Sequence, residues 1–248
     1  MNKIRAKSNP KITPIVRMLS FAVAMHLLLT PIGVLAGSPL PTGADVVHGN
    51  VSMDQAGTQL NLNQFTNKAI VNWESFSIDA GYGVNVNQPG RTAAMLSRVT
   101  GADPSQIMGA LQANGIFYLV NQNGVYFGPN SQVDVAQLIA STLNISNEDF
   151  LAGNLEFSGD STAAVENAGQ IRAQTAALIA NEVNNTGTVA ARRTAMAAGN
   201  RVHIGNVAGG ELSVDVSGLT GQVVNRGGIE ASGDSSNANG GQVVVKGN

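Results

Sequence analysis

The residues most able to do chemistry in this chain are its histidines, and their spacing argues against it. His26, His48 and His203 fall at no metal-ligand interval, and there is no cysteine to complete a site with them. Asp45, Asp54, Asp79, Asp134, Asp149 and Asp215 stand singly among turn residues and on polar faces. Acid–base hydrolysis needs two carboxylates held together, so solvated turn residues are the better reading of each. Arg192-Arg193 is the conspicuous basic pair, and alone it makes a solvated face. A glycine-rich calcium repeat with periodic Asp is missing. The expectation is no enzyme, no metal and no cofactor. Asn50-Val51-Ser52, Asn144-Ile145-Ser146 and Asn184-Asn185-Thr186 fit the glycosylation triplet, a pattern common by chance.

The chemistry that remains is hydrogen bonding by amides, and the stretch from Gln112 to Ala136 concentrates it. Its apolar runs, Ile116-Phe117-Tyr118-Leu119-Val120, Val125-Tyr126-Phe127 and Val133-Asp134-Val135, are β-branched or aromatic and too short for helices. Asn114-Gly115 and Asn123-Gly124 separate such runs as turn dipeptides, because Gly takes φ > 0 without strain and Asn tolerates it. The backbone is expected to go strand, corner, strand.

A repeated phrase decides between a hairpin and something longer. Asn167-Ala168-Gly169-Gln170-Ile171 returns as Asn185-Thr186-Gly187-Thr188-Val189 and as Asn225-Arg226-Gly227-Gly228-Ile229. The offsets are 18 and 40 residues, read as one period and then two. A period of roughly twenty residues signals a solenoid whose coils bury their apolar faces on one another. With strands and Asn-x-Gly corners, the coil is that of a β-helix.

The elements around this frame read the same way. Leu60-Asn61-Leu62-Asn63, Ile70-Val71-Asn72-Trp73 and Val84-Asn85-Val86-Asn87 alternate with period two. Trp73, Phe76 and Ile78 do not share one parity, which places a bulge or corner near Glu74-Ser75. Asp103-Pro104-Ser105-Gln106 could cap a helix, but Ile107, Gly109 and Leu111 alternate as a strand, and strands on both sides favour that reading. Ser146 to Leu151 reads as a helical turn, with Ser as N-cap and Asp at N3. The alanine-rich steps Thr175–Ala180 and Thr194–Ala198 are assigned to the inside of the coil. Val202-His203-Ile204 and Leu212–Val216 are assigned to further rungs.

Of 248 residues, 43% are hydrophobic and only 12% charged, with 29 Gly, a balance that suits many corners and few solvated helices. A net charge of −2 offers no footprint for nucleic acid. Lys3, Arg5, Lys7, Lys11 and Arg17 precede an apolar segment from Met18 to Leu35 that ends Val34-Leu35-Ala36-Gly37. This is the layout of a secretory signal peptide over residues 1–36. A membrane anchor is the rival, opposed by His26, Pro31 and Gly33 within the segment. One β-helical domain is expected over residues 37–248, with more regular coils from 164. Its tail, Gly240 to Asn248, stops in mid-pattern, which implies continuation in a longer parent, or else an unusual cap.

Five blocks, in order, carry a resemblance: Asn67–Phe76, Arg98-Val99-Thr100-Gly101, Asp103–Ile107, Gln112-Ala113-Asn114-Gly115 and Asn121–Gly128. Together they resemble the two-partner secretion (TPS) domain at the N-terminus of filamentous haemagglutinin-like exoproteins. The resemblance implies a right-handed parallel β-helix with short extra-helical elements. It also implies Sec export to the periplasm and passage through an outer-membrane TpsB-type transporter bearing POTRA domains. The family's Asn-Pro-Asn-Gly-Ile/Leu/Val motif falls on Asn121, Gln122, Asn123, Gly124 and Val125, with Gln122 where Pro is usual, a change that frees φ at that corner. Its Asn-Pro-Asn-Leu motif has no match.

The reading is a secretion domain that pairs a strand with the transporter's POTRA edge and then nucleates β-helix folding outside a Gram-negative cell. Its motif corner is Asn121, Asn123 and Gly124, with Trp73 and Phe76 packed beneath. The parent is expected to be an adhesin; a cytolysin, a contact-dependent inhibition toxin or a β-helical polysaccharide-active enzyme are the alternatives. A monomer is expected, with no small-molecule substrate, and any surface receptors would be met by the region beyond.

Overall fold

The computed structural model describes residues 38–205, 212–218, 221–231 and 241–247. The expected signal peptide lies outside the described residues. Strands β1 (Asp45–His48), β2 (Val51–Ala56), β3 (Gln59–Gln64) and β4 (Lys68–Trp73) open the fold. β1 runs antiparallel on β4, and β2 antiparallel on β3. Stacking then becomes parallel: β3 carries β5 (Gly83–Asn87), and β4 carries β6 (Ala94–Val99). The coil closes through β7 (Ser105–Ile107) and continues into β8 (Ala110–Val120), whose first half lies on β5 and second half on β6. β9 (Val125–Phe127) lies on β7, and β10 (Gln132–Ser141) on β8.

Helix α1 (Asn147–Ala152) and β11 (Glu156–Ser158) then leave the spiral. β12 (Ala164–Asn167), β13 (Gln170–Ala180), β14 (Glu182–Asn185) and β15 (Thr188–Ala198) resume it. β16 (Arg201–Gly205) and β17 (Ser213–Ser217) leave again, and β18 (Gln222–Asn225), β19 (Gly228–Glu230) and β20 (Gln242–Gly247) form the last described turn. The result is a parallel β-helix of three-sided coils, each a short strand followed by a long one that bends.

Alternation along each strand, repeated in register, builds the interior. Leu60, Val84, Leu111, Val133, Ile171, Val189 and Ile229 form one column, a residue per coil. Such side chains stack about 4.8 Å apart, so each coil covers the apolar face of the last. Trp73, Phe76 and Phe117 fill the wider early coils, with Trp73 edge-on to Phe76 at 5.3 Å and Phe76 tilted on Phe117 at 5.7 Å. The corner expected near Glu74-Ser75 is present; Thr42 and Ser75 bridge across it.

The opposite parity is also buried along the bent half of the long strands. Leu96, Tyr118, Ile139, Ile179 and Ala197 face outward, under Phe150 of α1, Phe157, Val202, Ile204 and Val214. β11, β16 and β17 form an antiparallel sheet laid over this side. A sheet covered on both faces reads as a continuous apolar run, which explains Leu138-Ile139-Ala140 and Leu178-Ile179-Ala180.

This covering corrects four expectations. Val202–Ile204 and Leu212–Val216 are not rungs but strands of the covering sheet, because antiparallel pairing to each other and to β11 satisfies their edges off the spiral. The 40-residue offset is a single coil carrying that excursion, since β18 lies directly on β14. Half of the small residues, Ala177, Ala195 and Ala197 among them, face outward, where a flat surface lets the covering sheet approach. Between Ser105 and Leu111 the strand is broken at Met108-Gly109, where a Cβ on Gly109 would come within 2.2 Å of the Tyr82 carbonyl.

Candidate recognition site

The corner after β8 is built by one buried side chain. Asn121 is 0% exposed, and its amide donates to the Asp103 carbonyl and to Ser105 Oγ, each at 3.0 Å, tying the corner to the coil below. Its Oδ1 accepts the Asn123 N–H at 2.9 Å, an Asx turn, while the Gly124 N–H donates to the Asn121 carbonyl at 3.1 Å and closes a four-residue turn. Gly124 sits at φ +122°, open to glycine and strained for other residues. Asn123 donates to the Gly101 carbonyl at 2.9 Å. Ser161 Oγ donates to the Gln122 carbonyl from the coil above at 2.5 Å. Gln122 and Asn123 are thus a fixed, solvent-facing tip between two coils, and Val125 behind them is buried in β9.

Asn114-Gly115 is not a turn of this kind. Both residues lie inside β8 at the bend from β5 to β6, where the strand runs on but the ladder is irregular. The register against β10 shifts between Val135 and Gln137, so Asn114-Gly115 stand opposite one residue, Ala136. Asn114 clasps the coil below, accepting the Gln88 N–H at 2.7 Å and donating to its carbonyl at 2.9 Å. Glycine is needed for closeness rather than for φ: a Cβ on Gly115 would sit 2.5 Å from Gln88 Oε1 and 2.6 Å from the Ala93 carbonyl. Trp73 and Phe76 lie in the interior. The Trp73 carbonyl accepts the Thr100 N–H and hydroxyl, and Thr100-Gly101 in turn underlies Asn123.

Beside the tip opens a cleft of about 460 Å³, lined by Arg98 to Ala102, Val120, Gln122, Asn123 and Asn144. Arg98 projects from β6 and donates to Asn144 Oδ1 at 3.0 Å, Asn147 Oδ1 at 2.7 Å and the Ile145 carbonyl at 2.6 Å. Burial pulls its pKa below the usual guanidinium value, and a guanidinium keeps its charge in proteins. Among the described residues no group of His, Asp and Glu could hold a metal ion.

The TPS secretion domain family matches residues 38–247. The chain belongs to that family. Two heme/hemopexin-binding proteins of Haemophilus influenzae are 34% and 35% identical over 125 and 106 residues, or 50% and 42% of this chain. Those stretches make up 14% and 11% of the two relatives, so the chain spans a small part of their length. The crystal structure of the HMW1 secretion domain from Haemophilus influenzae superposes with a TM-score of 0.75 at 30% identity, covering 83% of this chain and 55% of that one. The fold and the TPS family are therefore those that the ordered sequence blocks implied. Arg98 stood in one of those blocks, but its partners Asn144, Ile145 and Asn147 lie on the first excursion. No local spacing could have joined them.

Proposed function

We propose that this TPS domain delivers a larger exported protein, an adhesin in our reading, to a TpsB-type outer-membrane transporter, and that the Asn121–Val125 corner is part of what the transporter's POTRA domains read. An extended segment adds a strand to a POTRA edge, and the side chains at the corner select the partner. Outside the cell the first coils then template the rest, each rung burying its apolar column on the one before. The observation that carries the reading is the division of labour at the corner. Asn121 is spent wholly on internal bonds and the exposed Asn123 also pins the tip to the Gly101 carbonyl, while the exposed Gln122 side chain is held outward on a backbone fixed from both neighbouring coils.

The test replaces Gln122 and Asn123 together by alanine in cells that express the transporter. The expected outcome is a chain that folds, with stability lowered by no more than about 1 kcal/mol, but collects in the periplasm. Normal appearance of this variant in the medium would refute the role.

A further inference from the structure

The cleft next to the motif tip holds a positive charge that the protein itself does not neutralise. The hydrogen-bond partners of Arg98 are neutral oxygens, two from asparagine amides and one from a backbone carbonyl. The ion pairs among the described residues are His203 with Glu156 and Lys246 with Asp215, so no carboxylate stands within ion-pair distance of Arg98. Nor does any acidic residue line the cleft. A half-buried guanidinium with neutral acceptors keeps its full charge and has lost part of its water. Such a charge favours an incoming anion more than an exposed lysine would, because the desolvation has already been met in folding.

The rest of the lining suits the same ligand. Thr100, Gly101 and Ala102 form one wall, with the Thr100 hydroxyl already given to the Trp73 carbonyl, and at the rim the exposed Gln122 side chain brings an amide that can donate to a carboxylate. Its volume lies within the range of specific small-ligand pockets and is ample for one side chain. The bonds to Asn144, Ile145 and Asn147 fix the guanidinium plane, so the site is organised before anything binds.

We propose that this cleft takes an acidic side chain, Asp or Glu, from the periplasmic region of the transporter, with Arg98 as the charge that receives it. This rests on the functional reading above and adds to it the chemistry of the contact. It also sets a structural condition. One wall comes from the corner after β6, the rim from the corner after β8, and the bonds that hold Arg98 from the segment after β10, so the chain from β6 to Asn147 must already be folded when the contact forms, even if the rest is extended.

The experiment uses charge of either sign at the exposed rim. Gln122→Glu and Gln122→Lys leave the Arg98 bonds in place, and Asn130→Glu puts a negative charge on the next corner, outside the cleft. Secretion is measured as the ratio of full chain in the medium to that in the periplasm, in cells making the transporter. Binding of the purified chain to the isolated POTRA region is measured at low and high salt. Gln122→Glu should lower both by roughly tenfold, and the binding loss should shrink in high salt. Gln122→Lys should hold or raise both, and Asn130→Glu should leave them unchanged. If Gln122→Glu and Gln122→Lys behave alike, or if Asn130→Glu is as harmful as Gln122→Glu, the acidic contact is wrong while the secretion role stands. If the double-alanine variant is secreted normally, the secretion role of the corner falls, and this contact with it.

Discussion

At the scale of single residues, Asn121 is the position where identity matters most. Its buried amide makes two donor contacts and accepts twice, from the N–H and the side chain of Asn123, so its removal leaves orphans on every side. Asn121→Ala should destabilise the domain by about 2 to 3 kcal/mol, read from chemical denaturation. Asn121→Asp should be worse at neutral pH, because a carboxylate would face the Asp103 carbonyl, which can only accept. Burial and that carbonyl both disfavour the charged form, so the folded-state pKa of the new Asp would be raised. Its penalty must then grow as pH rises above the free Asp value of about 4, level off above the folded-state pKa, and be smallest at or below pH of about 4, where the protonated acid can donate. An Asp variant equally weakened at both pH values would contradict this account. Gln122 is the counterpart. It occupies the second place of the turn, and its N–H donates to no acceptor among the described residues. Gln122→Pro should therefore be accommodated and stabilise by about 0.4 to 1 kcal/mol through the unfolded chain. A lower denaturation midpoint would mean that the turn is not of the proline-compatible kind.

At the scale of elements, the two excursions are held by coil residues distant in sequence. Lys68 of β4 donates to the Phe150 and Leu151 carbonyls at 3.1 and 2.6 Å, the end of a helix whose Ser146 N-cap accepts the Asp149 N–H at 2.9 Å. Both carbonyls belong to the last turn, where Phe150 otherwise accepts only the Gly153 N–H at 3.2 Å, and a cation there also suits the helix dipole. Lys68→Met should remove amide-exchange protection from residues 149–153 while leaving β8 and β10 protected; loss of protection throughout would show the helix to be part of the main cooperative unit. The Asn-x-Gly phrase is a second such device. Asn167 donates to Asn185 at 2.8 Å and Asn185 to Asn225 at 2.7 Å, an amide ladder up one edge of the spiral. Its glycines lie so close to the coil below that a Cβ on Gly187 would meet the Gly169 carbonyl at 2.2 Å. The phrase was legible as a repeat because the same amide is demanded on each of these three coils, Asn167, Asn185 and Asn225, with glycine two places on. The excursions were not legible as coverings. Val202-His203-Ile204 and Leu212–Val216 alternate like any rung, and only the antiparallel partners they find reveal which sheet they joined. The N-cap at Ser146 was readable because its partner is three residues away. Arg98 was not, because its partners are nearly fifty residues on.

At the scale of the whole domain, the antiparallel pair β1 and β2 is a lid on the first coil. Parallel stacking leaves an unpaired ladder at either end of a β-helix, and such an edge accepts any strand of suitable register. Reversing direction at β1 and β2 uses up the edges of β4 and β3. The ladder of β1 also slips between Val46 and His48, and an irregular strand makes a poor template for another copy. Deleting residues 45–56 would uncover β3 and β4 as straight parallel edges. Two copies uncovered in this way can pair edge to edge. The shortened chain should therefore self-associate, and its light scattering should rise with concentration where the intact chain's does not. A shortened chain that stayed dispersed at the same stability would mean that β1 and β2 are dispensable trim, and that something else terminates the stack.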